Sequence, residues 1–108
     1  MYAIEYTEQV TADLLWFKKH EQNTIVDSIE QQLGHEPTIQ TRNRKLLRPN
    51  VLAIWELRIG DFRVLYDVAI EVRIVAVKRI GEKRGNAFSS VGKRRKYDHL
   101  ELSRLPRR

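Results

Sequence analysis

The chain has 108 residues, 42% of them hydrophobic, with 20 Lys and Arg against 14 Asp and Glu for a formal charge of +6; this is one domain, large enough to bury a modest core without covalent staples. There is no cysteine, which excludes a disulfide framework and a thiolate metal site. No apolar run approaches the roughly 18–20 residues needed to cross a bilayer, and the N-terminus lacks a basic-then-apolar signal, so the cytoplasm is the expected location and no membrane partner is expected. The charge is uneven: residues 1–77 hold nine Lys/Arg and eleven Asp/Glu, residues 78–108 eleven and three. A basic C-terminal third points to a polyanion such as nucleic acid, or to an acidic protein.

Residues 2–6 alternate and predict a short first strand, after which Thr7 suits the N-cap of a helix. Val10, Leu14 and Phe17 fall at helical spacing, with Leu15 and Trp16 widening the stripe. A break is expected at Glu21-Gln22-Asn23, and Ile25, Ile29 and Leu33 then restart the period up to Gly34, a C-terminal cap by its chemistry. The two helices should pair as a hairpin and cover a sheet. Residues 35–50, with Pro37 and Pro49, read mostly as connection carrying the basic residues Arg42, Arg44, Lys45 and Arg48.

Strands follow at about 52–59 and 62–68, joined by Gly60-Asp61. Glycine at the first central position suits a two-residue type II′ hairpin, which pairs Ile59 with Phe62, Arg58 with Arg63, Leu57 with Val64 and Glu56 with Leu65. Alternation puts Ala53, Trp55, Leu57, Ile59, Phe62, Val64, Tyr66 and Val68 on one apolar face, and Glu56, Arg58, Arg63 and Asp67 on the other. Two opposed arginines cost a few tenths of a kcal/mol or so, whereas a phosphate bridging them makes several charge-assisted hydrogen bonds. Glu56 can also neutralise the pair, which leaves a solvated surface as the alternative. Val72 to Val77 predicts a third, central strand. After Ile80-Gly81 come a charged loop, Glu82 to Asn86, then the basic run Lys93-Arg94-Arg95-Lys96 and a tail in which Leu100, Leu102 and Leu105 suit a short helix.

The histidines, His20, His35 and His99, are scattered, and none stands at ligand spacing from an acid, so no metal is expected. The Gly81–Gly85 stretch lacks the pattern of a nucleotide-phosphate loop, and no base is placed to activate Ser28, Ser89 or Ser90. What remains is cationic: Lys45, Arg48, Arg58, Arg63, Arg73, Arg79, Lys83 and Arg84 are expected to converge on the concave polar face of the sheet. Such a face binds a phosphate backbone. It also suits metal-independent RNA cleavage by the 2′-hydroxyl, because cations stabilise the charged phosphorane.

The run Leu57-Arg58-Ile59-Gly60-Asp61-Phe62-Arg63-Val64-Leu65-Tyr66 resembles the hairpin motif of the RelE/ParE superfamily of toxins from type II toxin–antitoxin modules. Ile80-Gly81-Glu82-Lys83-Arg84-Gly85-Asn86 is similar to that superfamily's glycine-basic motif. The resemblance covers residues 1–90 as a single toxin domain and leaves 91–108 as a basic extension. It implies an α+β fold, with the N-terminal strand and helical hairpin packed on one face of a small antiparallel sheet. It also implies a cognate antitoxin, acidic and encoded adjacently, and no cofactor.

For RelE-like members it implies ribosome-dependent cleavage of mRNA and arrest of translation, and for ParE-like members a non-enzymatic block of DNA gyrase; an inactive homologue that only binds antitoxin is the third reading. Carried over by position, Arg63 contacts the scissile phosphate, Lys83 is the basic residue beyond the glycine, and Arg58 supports the same face. Ile54 and Glu56 stand where well-studied members have lysines, and Phe88 and Ser89 near a family tyrosine. Phe88 retains a ring for stacking on a base, and Tyr97 in the basic tail is a candidate stand-in for the tyrosine.

Overall fold

The computed structural model describes residues 1–84 and 87–89, the side chains up to Lys83. Its elements, in chain order, are β1 (Ala3–Tyr6), α1 (Glu8–Trp16), α2 (Lys19–Leu33), β2 (Arg44–Leu46), β3 (Trp55–Ile59), β4 (Phe62–Ala69), β5 (Ile74–Arg84) and β6 (Ala87–Ser89). The strands form one sheet in the order β1-β5-β4-β3-β2, with β6 also paired to β5. The fold is α+β as expected, except that β1 joins β5 in parallel, while the other pairings are antiparallel.

Thr7 starts α1 as its chemistry predicts. Its hydroxyl accepts from the Val10 N–H at 3.3 Å and donates to the Val77 carbonyl at 3.0 Å, so one side chain caps the helix and ties it to β5. Thr7→Ala is expected to cost about 1 kcal/mol, read as a lower urea midpoint, while Thr7→Ser retains most of that stability.

The helical break falls at Phe17 and Lys18, both extended, and not at 21–23. The polar residues that resemble a loop are the first turn of α2: the Glu21 carboxylate accepts from the Lys18 N–H at 3.0 Å, and Gln22 Nε2 donates to the Phe17 carbonyl at 2.9 Å. On α1 the stripe is narrower than expected. Val10 and Phe17 are buried, but Leu15 is 73% exposed and Trp16 48%, because one and two residues past Leu14 lie on the far side of a 3.6-residue turn.

Val10, Phe17, Ile25, Ile29 and Leu33 close over Trp55, Leu57, Val64, Tyr66, Val75, Val77 and Ile80 to form the core. Ala53, expected on this face, packs instead with Leu65, Leu47 and Leu52 on the opposite side of the sheet. Leu65 lies between Val64 and Tyr66 and so faces away from the helices.

Three further readings are corrected. Residues 44–46 form an edge strand on β3, its outward amides covered locally: the Arg44 N–H donates to Thr41 Oγ1 and the Leu46 N–H to Gln40 Oε1. The central strand begins at Ile74, with Val72 63% exposed in the turn and Arg73 at φ 55. It continues to Arg84, through residues read as a charged loop, because β4 pairs with it as far as Phe62↔Glu82.

Charge is divided between the layers. Residues 1–40, holding β1 and both helices, carry seven Asp/Glu and two Lys/Arg, whereas residues 41–84 carry eleven Lys/Arg and five Asp/Glu. Among the described residues no helix is long and apolar enough to cross a membrane.

Candidate nucleic-acid interface

Gly60 has φ 58, and among the described non-glycine residues only Arg73 has a positive φ. Asp61 therefore has negative φ, which fits the type II′ turn and excludes type I′. The register follows: Ile59↔Phe62, Arg58↔Arg63, Leu57↔Val64 and Glu56↔Leu65. The Arg58 N–H points away from β4, donating to the Asn43 carbonyl at 2.7 Å. Arg58 and Arg63 are thus a non-hydrogen-bonded pair, the closer kind, with Cα atoms about 4.5 Å apart.

The two guanidinium groups are held differently. Arg58 donates from Nε to the buried Glu56 carboxylate at 2.9 Å. Arg63 turns its Nη1 back onto the hairpin, donating to the Gly60 carbonyl at 2.6 Å and to the Phe62 carbonyl at 2.9 Å. Among the described residues Arg63 has no carboxylate partner, and its Nε and Nη2 make no hydrogen bond. Those two donors form the edge of a guanidinium that grips an oxyanion in a bidentate manner.

Other cations share the face. Lys45 is the register partner of Glu56, and Lys83, exposed, stands two residues beyond Gly81, the partner of Arg63. The Lys83 N–H donates to the Asp61 carbonyl at 2.9 Å, so the end of β5 is tied to the hairpin turn. Arg48 is exposed in the β2–β3 loop, whose shape is set by the buried Asn50: its Oδ1 accepts from the Leu52 and Ala53 N–H groups and its Nδ2 donates to the Arg48 carbonyl.

Two arginines do not converge there. Arg79 is committed to Asp13 of α1, with Nε 3.0 Å and Nη2 3.3 Å from the carboxylate, which also accepts from the Ile80 N–H at 3.0 Å. Arg79 stands next to the irregularity of the β4–β5 pairing between Leu65 and Tyr66. Arg73 lies in the β4–β5 turn at the other end of the sheet from Gly60, its guanidinium 5.4 Å from the centre of the Tyr2 ring. Asp67 faces the polar side but is occupied: its Oδ1 accepts from the Ile54 N–H at 2.7 Å. Arg84 and Phe88 are strand positions, Phe88 being the register partner of Lys83, with their side chains outside the described part; Lys93, Arg94, Arg95, Lys96, Tyr97 and the extension 91–108 lie outside it altogether.

Sequence reading passed over Asp13 and Asn50, and took Arg44 for one of the basic residues of a connection although it is buried. Asp13 left a signal, since it sits three residues after Val10 and four before Phe17, a carboxylate within the apolar stripe. Arg44 gave none, because its partners, the Ile39 carbonyl, Gln32 and Glu36, are set by the path of the connection.

No protein-family model matches the sequence, and a search of curated proteins finds no match. Solved structures do match. A chain of the RelBE2 toxin–antitoxin complex of Mycobacterium tuberculosis superposes with a TM-score of 0.67 at 24% identity, covering 76% of this chain and 98% of that one. A chain of the archaeal RelE–RelB complex of Pyrococcus horikoshii gives 0.63 at 22% identity, over 80% and 98%. The isolated RelE toxin of Escherichia coli gives 0.57 at 13% identity, over 78% and 86%.

The chain has the RelE toxin fold.

Within the RelE fold the hairpin motif divides into two jobs. Leu57, Val64 and Tyr66 point to the helices and build the core, while Arg58 and Arg63 point the other way. Tyr66 donates its hydroxyl to the Pro37 carbonyl at 2.6 Å. Burial pushes that hydroxyl well above the usual tyrosine range, outweighing the opposite pull of the Arg44 charge, and Tyr66 sits in the core on the helical side of the sheet, away from Arg58 and Arg63. Tyr6 is also raised, by burial first and then by its hydrogen bond to Glu30.

Proposed function

We propose that this protein is the toxin of a type II toxin–antitoxin pair and acts as a ribosome-dependent endoribonuclease on mRNA. The observation that carries the reading is Arg63: a guanidinium fixed by the hairpin carbonyls, with its bidentate edge unbonded among the described residues, on a face shared by Arg58, Lys45 and Lys83. The RelE fold supports it, as does the pairing of RelE proteins with antitoxins in the matched complexes.

In the proposed reaction the 2′-hydroxyl of one nucleotide attacks the adjacent phosphorus. The O2′–P bond forms as the 2′-hydroxyl gives up its proton to water, the P–O5′ bond breaks as O5′ takes a proton from water, and the products are a cyclic phosphate and a 5′-hydroxyl. Negative charge builds on the two non-bridging oxygens, where the Nε–Nη2 edge of Arg63 provides two donors. Arg58 and Lys83 add charge from the neighbouring strands. Guanidinium groups stay protonated, so their part is binding and charge stabilisation. The antitoxin is proposed as an acidic partner of the same cationic surface.

Purified protein, ribosomes and a programmed message are expected to give cleavage in the ribosomal A site, mapped by primer extension. Absence of cleavage, together with inhibition of supercoiling by purified gyrase, overturns the nuclease reading in favour of a gyrase inhibitor. Expression without growth arrest identifies an inactive homologue.

A further inference from the structure

Glu56 is the anomaly of the cationic face. It is 3% exposed, flanked in register by Leu65 on one strand and Lys45 on the other, and hydrogen-bonded to Arg58 Nε. A buried carboxylate is tolerated only when its partner is fixed, so the bond restrains Arg58 as firmly as it satisfies Glu56. At that exposure no substrate hydroxyl reaches the carboxylate to be deprotonated. Its effect must pass through the residue it holds and through its charge.

With Nε occupied, Arg58 offers only its Nη end, which makes no hydrogen bond among the described residues. Arg63 is restrained in the complementary way, with Nη1 bound and the Nε–Nη2 edge unbonded among the described residues. The two stand directly opposite each other, each locked by a separate acceptor and each with donors to spare. The negative charge of Glu56 sits beside this pair and repels any anion bound there, in proportion to the charge of that anion.

Building on the phosphate-binding reading above, we infer that Glu56 is a positioning and specificity-determining residue: it locks Arg58 opposite Arg63 as a clamp for one phosphodiester and disfavours doubly charged phosphates. Glu56 thereby narrows the advantage that a cationic face gives a terminal phosphomonoester, which carries nearly two charges above its second pKa of about 6, over an internal, singly charged linkage of a nucleic acid strand.

The test uses two small probes at pH 7.5: a thymidine dinucleotide, which has one phosphodiester and no 2′-hydroxyl to react, and thymidine 5′-monophosphate. NMR titration gives both affinities for the wild-type protein, Glu56→Gln and Arg58→Ala, with the Arg58 Nε–H signal followed directly and thermal stability measured alongside. Glu56→Gln keeps the shape and removes the charge. It is expected to strengthen monoester binding about 10-fold and diester binding about 3-fold, because the lost repulsion scales with ligand charge, and to shift the Nε–H signal. Arg58→Ala is expected to weaken both probes.

An equal change for the two probes, or a loss of thermal stability with the affinity ratio unchanged, assigns Glu56 a structural role only and overturns the inference while the phosphate-binding reading stands. Failure of the wild-type protein to bind either probe overturns both.

Discussion

Arg63→Ala is expected to lower ribosome-dependent message cleavage by about 10²- to 10³-fold, the usual effect of removing a preorganised donor from a site of developing negative charge. The side chain is half-buried, and its Nη1 bonds run to carbonyls of the turn. Because Gly60 and Asp61 keep the hairpin closed without it, the accompanying loss of stability should be about 1 kcal/mol or less. Circular dichroism and a urea midpoint close to wild type separate a functional loss from an unfolded protein. Arg63→Lys restores the charge but not the fork, since an ammonium cannot offer two donors in one plane; recovery of only part of the activity is the expected result. Full activity in the alanine variant would remove Arg63 from the chemistry.

The largest effect on stability is expected at Asp13. Its carboxylate accepts from Arg79 through two nitrogens, from the Ile80 N–H, and from Gln9 Nε2 at 3.2 Å. Asp13→Ala removes the acceptor of a backbone N–H and the counter-charge of an arginine whose side chain is only 12% exposed. Breaking a buried pair by deleting one partner costs roughly 3–5 kcal/mol, a large share of the approximately 5–15 kcal/mol that holds a domain together. Urea denaturation should show a much lower midpoint, and Asp13→Asn, which keeps one acceptor oxygen, should fall in between. Asp13→Ala with Arg79→Met should recover part of the loss, since the stranded charge is then gone. No recovery would mean that the backbone bond to Ile80 matters more than the ion pair.

The hairpin was legible because its turn admits few alternatives. Glycine at the first central position chooses the turn, the turn sets the register, and a period of two then places Arg58 against Arg63 and Leu57 against Val64. Thr7, Ile25, Ile29 and Leu33 were equally readable, since capping chemistry and a 3.6-residue stripe are local properties. The break between the helices was misplaced because side chains of Glu21 and Gln22 satisfy the backbone at Lys18 and Phe17, and composition alone does not tell a capping turn from a loop.

Strand β2 is three residues long and exists only through its pairing with β3. The role of Arg79 was hidden for the same reason, its partner lying 66 residues away in the chain. On the candidate site, charge type and facing were readable, but not occupancy. Which donor of Arg58 or Arg63 is already engaged depends on Glu56 and on two turn carbonyls, and no spacing rule encodes that.

Among the described residues, the separation of acidic helices from basic strands sets up an electric dipole. In the field of a polyanion such a body turns before it touches: the sheet face is drawn in and the helical layer is pushed away, so encounters are biased toward the orientation in which Arg58 and Arg63 meet phosphate first. Orientation is thereby selected over distances comparable to the Debye length, about 8 Å at physiological salt. Capture begins before any of the hydrogen bonds described above can form.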